Sequence, residues 1–166
     1  MSSGGWVFCA DPDDDVRKWL RPGVQHLWES ARSVGKEAGQ HVLFLLENPR
    51  SSAWLGSGEI VELEERWKMF GVVVECKKRL PHPLPSLPTL QERAGRPEAT
   101  NLIKAGASPW ENRDLATRIG LSGFRSRTPS AEWAADLLLS PEDLERLLVL
   151  RPALKNLMLL HAPRPR

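Results

Sequence analysis

Glu47 and Asn48 are the residues whose type and position first suggest chemistry, because they directly follow the apolar run 42–46. A short apolar run that stops at a breaker, here Pro49, is typical of a buried strand in a parallel sheet. Open α/β sheets bind their ligands at the carboxyl ends of such strands. The sequence therefore predicts a ligand site at Glu47, Asn48 and the nearby Arg50. The alternative is a structural glutamate that caps the following turn.

Asp11 and Asp13 follow a second apolar run, residues 6–10, in the same way. Clustered carboxylates at a sheet edge can hold Mg²⁺, and with Glu47 on a neighbouring strand they would form a metal site for phosphoryl transfer. The alternative is that these acids begin a helix, where the positive end of the helix dipole stabilises carboxylates. Mg²⁺ is the one cofactor that the sequence suggests.

Lys77, Lys78 and Arg79 form a basic triplet. Such side chains can neutralise the phosphates of a nucleic acid. The same triplet would equally fit a nuclear-import signal or a solvated run of charges. Charge is also unevenly distributed: residues 1–76 hold 8 Lys/Arg and 12 Asp/Glu, a net of −4, and residues 77–166 hold 15 and 9, a net of +6. This asymmetry favours either a half that faces nucleic acid or two halves that attract each other.

The elements that must position these residues alternate along residues 1–78. Apolar spacing predicts strands over 6–10, 41–47 and 71–76, and helices over 14–20, 24–36 and 59–70. Alternating strands and helices are typical of right-handed crossovers between parallel strands. The sequence therefore predicts an α/β fold with a short, Rossmann-like parallel sheet of about three strands.

A composition change follows this predicted α/β unit. Four prolines between positions 81 and 88 favour an extended, polyproline-like connector over residues 79–96. A mainly helical region is predicted for 97–166, with helices over 98–105, 110–119, 130–139 and 141–160. In the last of these, Ser140 is the expected N-cap and Pro152 the expected break. Its many leucines must pack either on the predicted sheet or on a partner protein.

Residues 40–54 and 70–76 resemble the sheet region of DNA cytosine methyltransferases, most of all the divergent members in viral and mobile-element polyproteins of protists. In that family a strand ends in Glu-Asn and the Glu contacts the flipped cytosine, a pattern that Glu47-Asn48-Pro49 matches. The family's nucleophilic Cys is missing, because the preceding strand ends in Asp11-Pro12-Asp13. The family's cofactor-binding half would precede residue 1. The resemblance, over residues 6–76, therefore implies a truncated, non-catalytic methyltransferase-like domain that contacts nucleic acid.

The overall composition limits the classes of protein to which the sequence can belong. The 166 residues are 41% hydrophobic and 27% charged, enough for a packed core with an ordinary polar surface. No window approaches a membrane span, and Cys9 and Cys76 lie in apolar runs as expected of reduced core thiols, so we expect an intracellular protein, cytoplasmic or nuclear. Besides nucleic-acid contact, two hypotheses stay open: a subunit that binds proteins through its leucine-rich helices and proline segment, and a Mg²⁺-dependent phosphoryl-transfer enzyme.

Overall fold

The structure is a computed structural model that describes residues 5–10, 18, 20–28, 36–46, 52–64, 71–87 and 136–158. These residues form one mixed β-sheet with helical cover from the C-terminal segment. In chain order the elements are β1 Gly5–Ala10, β2 Gln25–Trp28, β3 His41–Leu46, β4 Ala53–Glu64, β5 Gly71–Pro85, β6 Asp136–Leu139, helix α1 Pro141–Leu150 and a 3₁₀ helix Pro152–Leu157.

The strand order across the described sheet is β2-β5-β4-β3-β1-β6. Of its five pairings, β1 with β3 is parallel and the other four are antiparallel. The parallel pair lies inside the sheet, and the two strands end level, with Ala10 opposite Leu46. Two apolar runs that end side by side were predicted from the sequence, and this pairing confirms that part of the prediction.

The Rossmann-like α/β prediction is wrong, because segments expected to be helical are strands. Residues 25–28 of the predicted helix 24–36 form β2, which pairs with β5. Residues 59–64 of the predicted helix 59–70 continue β4. There Ile60 pairs with Val74 of β5 and Leu63 pairs with Val72, so pairing with a distant strand outweighs the helical spacing of the apolar positions.

The predicted Pro-rich connector is also partly wrong, because β5 runs through it as far as Pro85. Strand β2 lies beside β5 only over residues 72–75, so in the described sheet the later part of β5 has β4 as its partner on one side. Proline cannot donate to a ladder and is confined to such edges and to bulges. Pro81, Pro83 and Pro85 all lie in this later part of the strand.

The C-terminal segment is not wholly helical as predicted, since residues 136–139 form β6 against β1. The predicted helix start is confirmed: the Ser140 side chain accepts from the Asp143 N–H, and the Asp143 carboxylate accepts from the Ser140 N–H. This capping box satisfies two helix-end donors. The chain leaves α1 before Pro152 and continues as a 3₁₀ helix, so the predicted break at this proline is confirmed.

Both faces of the sheet carry a buried cluster, and α1 covers one of them. Leu147 and Leu150 of α1, with Leu154 and Leu157 of the 3₁₀ helix, pack with apolar residues of β1, β3 and β6. The leucine-rich segment therefore packs on its own sheet, as one of the two predicted alternatives required. The second cluster contains the aromatic residues Trp6, Phe8, Trp28 and Phe44.

In the second cluster, the Trp28 and Phe44 rings are stacked with centroids 5.6 Å apart, and Phe8 lies tilted against Trp28 at 5.4 Å. The Lys36 ammonium is 3.9 Å from the Trp6 ring centroid, where the negative face of the indole attracts it. Within the described parts of the chain, no helix is long and apolar enough to span a bilayer.

Candidate nucleic-acid interface

Two β-bulges occur together at Leu55, one on each side of β4. Against β3 the register passes from Phe44↔Gly56 to Leu45↔Trp54, which leaves Leu55 as an extra residue. The pairing of β4 with β5 is interrupted at the same place. It passes from Trp54↔Leu84 to Gly56↔Arg79, a step of two residues along β4 and of five along β5. Residues 80–83 of β5 therefore bow out of the ladder. Bulges of this kind redirect side chains and occur often beside binding sites.

A pocket of about 300 Å³ lies at this double bulge. This volume is at the lower end of the roughly 300–1,000 Å³ range of ligand pockets. Leu and Pro side chains line it together with two nitrogen-bearing side chains, Arg79 and His82. The full lining is Leu20, Leu55, Arg79, Leu80, Pro81, His82 and Pro83.

The double bulge depends on close contact between β4 and β5 at Gly56. A Cβ atom added at Gly56 would collide with the Lys78 carbonyl oxygen and would lie 3.2 Å from the Arg79 Cα. Glycine is therefore the residue that lets the β5 backbone approach closely here. This approach holds Arg79 in register with β4 just before residues 80–83 leave the ladder.

Arg79 is held at the pocket by its Nη1 atom, which donates to the Leu20 carbonyl oxygen at 3.2 Å. The residue as a whole is exposed. A guanidinium is planar, stays charged and carries five N–H donors, so it can hold several partners at once. Among the three basic residues of the predicted triplet, Arg79 is the one that lines the pocket.

Lys77 and Lys78 take other directions. The Lys77 ammonium forms ion pairs with Glu59, at 3.3 Å, and with Glu75. Its bond with Glu75 raises the pKa of Lys77, and bonds from Lys77 and Gln25 lower the pKa of Glu75. The Lys78 Nζ donates to the Met158 carbonyl oxygen at 3.1 Å, next to the 3₁₀ helix.

The predicted basic triplet is thus divided. One cation lies between two carboxylates, one ties β5 to the C-terminal segment, and one faces the pocket. These three side chains do not form a contiguous phosphate-binding patch, because adjacent residues of a strand point to opposite faces of the sheet.

The other predicted site residues, Asp11, Asp13, Glu47, Asn48 and Arg50, lie outside the described residues. The ligand-site and Mg²⁺ predictions for them remain predictions. Among the residues that the structure describes, no group of three or more His, Cys, Asp or Glu side chains is arranged to hold a metal ion.

Sequence reasoning missed Leu55 and His82 as pocket residues. Both became pocket residues through strand register, because the bulges that place them at the pocket depend on how β4 pairs with its two neighbours. The one local signal was the proline spacing at 81, 83 and 85, which indicates a segment unable to maintain a regular ladder.

Comparison with solved structures gives the fold a known counterpart. The chain is similar to the crystal structure of the DUF55 domain of human thymocyte nuclear protein 1, with a TM-score of 0.54 and 16% identity, over 88% of this chain and 97% of that one. It is also similar to human THYN1 protein in complex with DNA containing 5-methylcytosine, with a TM-score of 0.52 and 16% identity, over 87% and 95%.

At this level of identity the likeness concerns the fold. No family model matches the chain, and no curated protein matches it either. The mixed sheet and its DUF55 counterparts overturn the inferred membership in the DNA cytosine methyltransferases. The Glu-Asn-Pro tripeptide that suggested this family follows a strand of a different fold.

Proposed function

We propose that this chain is a nucleic-acid-binding domain that contacts the phosphate backbone at the double-bulge pocket through Arg79. The observation that carries the proposal is this exposed arginine, held by the Leu20 carbonyl at the edge of a pocket. Support for the ligand class comes from a solved protein of similar fold, human THYN1, which was crystallised with DNA containing 5-methylcytosine.

The charges around the pocket suit a phosphate better than a cation. Its lining contains the guanidinium of Arg79 and no carboxylate, and two acids on β5 and β4, Glu75 and Glu59, pair with Lys77. Arginine binds phosphates in a forked, charge-assisted geometry. Because Lys77 pairs with both of these acids, their negative charge is offset, and the positively charged edge of the pocket at Arg79 suits an anion.

Fluorescence anisotropy with a labelled duplex, measured over a range of salt concentrations, tests the proposal. Each phosphate contact contributes about 0.9 to the slope of log K against log salt for duplex DNA. Arg79→Gln should therefore weaken binding on any sequence and lower this slope by about 0.9. The same duplex with 5-methylcytosine in place of cytosine reports whether the methyl group changes affinity.

Arg146→Gln is the matched control, because it removes the same charge from α1, which does not line the pocket. It should leave both the affinity and the salt slope near the wild-type values. Equal losses in the two variants, or no salt-dependent binding by the folded wild-type protein, would contradict the proposal.

A further inference from the structure

One end of the sheet face that carries α1 is not covered by α1. Val72 and Val74 of β5 belong to the second cluster, so Val73 and Glu75, which alternate with them, point to the opposite face, where α1 lies. Among the described apolar residues, Val73 is not one of those that pack under α1 and the 3₁₀ helix. The α1 face is therefore partly open toward β2, an outer strand of the described sheet.

Residues from three strands form this open part of the face. Leu27 of β2 and Glu62 of β4 lie opposite Val73, and Glu59 lies opposite Glu75. Opposite residues of paired strands point to the same face, and we call these five residues the acidic strip. Leu27 is 37% exposed and Glu62 is exposed, so the strip presents both apolar surface and carboxylate to a partner.

The acidic strip has an excess of negative charge. Its three carboxylates have one ammonium among their described partners, that of Lys77, which pairs with Glu59 and Glu75. A segment complementary to the strip is therefore basic, with apolar residues that can pack on Leu27.

The C-terminal segment is anchored beside the acidic strip. The Ser57 hydroxyl donates to the Leu157 carbonyl oxygen, and the Lys78 Nζ donates to the Met158 carbonyl oxygen at 3.1 Å. Lys78 lies three residues from Glu75 along β5, and the backbone at Met158 is extended, with φ −63° and ψ 128°. The chain therefore leaves the 3₁₀ helix as an extended strand close to one end of the strip.

Residues 159–166, which lie outside the described residues, have the composition that the strip requires. They read Leu-Leu-His-Ala-Pro-Arg-Pro-Arg, with two arginines and no acid. In extended form Arg164 lies about 20 Å beyond Met158, and Glu62, opposite Val73, lies about 17 Å along β5 from Lys78. The first of the two arginines can therefore reach the exposed carboxylate at the far end of the strip.

From these observations we infer that residues 159–166 dock on the acidic strip, with Arg164 beside Glu62. Ala162 and Pro163, which precede this arginine, then supply the apolar contact to Leu27. A segment tethered this close has an effective concentration in roughly the millimolar range, which favours it over a second copy or a separate basic protein. The acidic strip shares no residue with the double-bulge pocket, so the contact is tested without nucleic acid.

Paramagnetic broadening of amide NMR signals in the full chain measures this contact. A nitroxide is attached at Pro165→Cys, and because both native thiols are buried, the reagent labels the new cysteine selectively. The amide signals of Leu27, Glu62 and Val73 should lose more than half of their intensity. Exposed residues at the start of α1, such as Glu142, should keep theirs.

Charge exchange identifies the pair that holds the segment. Glu62→Arg, at an exposed position, places like charges together and should restore most of the lost intensity. Adding Arg164→Glu to this variant recreates an opposite pair and should bring the broadening back. The control Glu145→Arg makes the same change at an exposed position of α1 and should leave the broadening as in the labelled parent.

The remaining outcomes contradict the inference. Full signal intensity along the acidic strip in the labelled parent would show that the segment lies elsewhere. Broadening that persists in Glu62→Arg, or that does not return after the charge exchange, would show that Arg164 and Glu62 are not partners. Broadening of an isotope-enriched, unlabelled chain by a nitroxide on a separate chain would assign the strip to a second copy.

Discussion

Leu147→Ala tests whether the leucine-rich helix belongs to the sheet. The Leu147 side chain is fully buried in a cluster that joins α1 to Val7 of β1 and Leu43 of β3. Truncation to alanine removes three carbons from this contact. The variant leaves the helix cap at Ser140 and Asp143 unchanged, so its effect measures the packing between helix and sheet.

The expected loss in the free energy of unfolding follows from the burial of the Leu147 side chain. Removing about three methylene-equivalents from a buried site costs about 2.4 kcal/mol in transfer free energy. The cavity left behind adds to this, and buried Leu→Ala changes cost about 2–5 kcal/mol in total. With a urea m-value of about 2 kcal/mol per molar, a loss of about 3 kcal/mol lowers the unfolding midpoint by about 1.5 M.

Urea unfolding followed by tryptophan fluorescence measures this shift, with Val149→Ala as the control. Val149 lies on the same helix but is 38% exposed, and alanine has the better helix propensity, so the control should change the free energy of unfolding by less than about 0.5 kcal/mol. If Leu147→Ala costs no more than the control, the helix does not stabilise the sheet. The leucine-rich segment would then be available for a partner protein.

Three further outcomes are expected. Ser140→Ala removes the N-cap acceptor of the Asp143 N–H and should cost about 1 kcal/mol in urea unfolding, and a neutral result would contradict the capping box. Gly58→Ala should cost about 2 kcal/mol by the same measurement, because the added Cβ would collide with the Glu75 carbonyl and approach the Phe44 ring to 3.1 Å; an unchanged midpoint would show that β4 and β5 are not this close. Burial raises the pKa of Cys76 from 9.0 to about 11. At pH 8 its thiolate fraction is therefore about 100-fold below that of an ordinary thiol, and in a Cys9→Ala background it should react with a disulfide reagent far more slowly in the folded than in the urea-unfolded protein.

The same Cys76 shift predicts how stability responds to alkali. The folded state holds the thiol proton over the window between pH 9 and about pH 11, where the unfolded state loses it. The free energy of unfolding should therefore fall as pH rises through this window. In Cys76→Ala this part of the alkaline loss should be absent, and an identical decline in both proteins would assign it to other groups.

The apolar runs could be predicted from the sequence, and their pairing could not. The runs before Asp11 and Glu47 are strands that lie parallel and side by side. The cap and the break of the last helix could also be predicted, because each depends on a few adjacent residues. By contrast, 24–28 and 59–64 have apolar spacings that suit a short helix as well as a strand. Long-range pairing with β5 decides between them.

The candidate site was harder still to predict. Lys77, Lys78 and Arg79 are adjacent in sequence, but their partners, Glu59, Met158 and Leu20, come from three different parts of the chain. The pocket itself exists because two register shifts meet at Leu55. No local sequence pattern encodes where a register shift falls in a partner strand. The basic triplet could therefore be recognised in the sequence, but the different partners of its three residues could not be predicted.

Chemical-shift mapping during titration with a short duplex tests most directly whether nucleic acid contacts the double-bulge pocket. We expect that, among the residues described, the largest amide and side-chain shifts fall at Leu20, Leu55 and residues 79–83, and that the Arg79 Nε–H signal moves with them. Saturable shifts confined to α1 and the 3₁₀ helix, with the pocket signals unchanged, would contradict it.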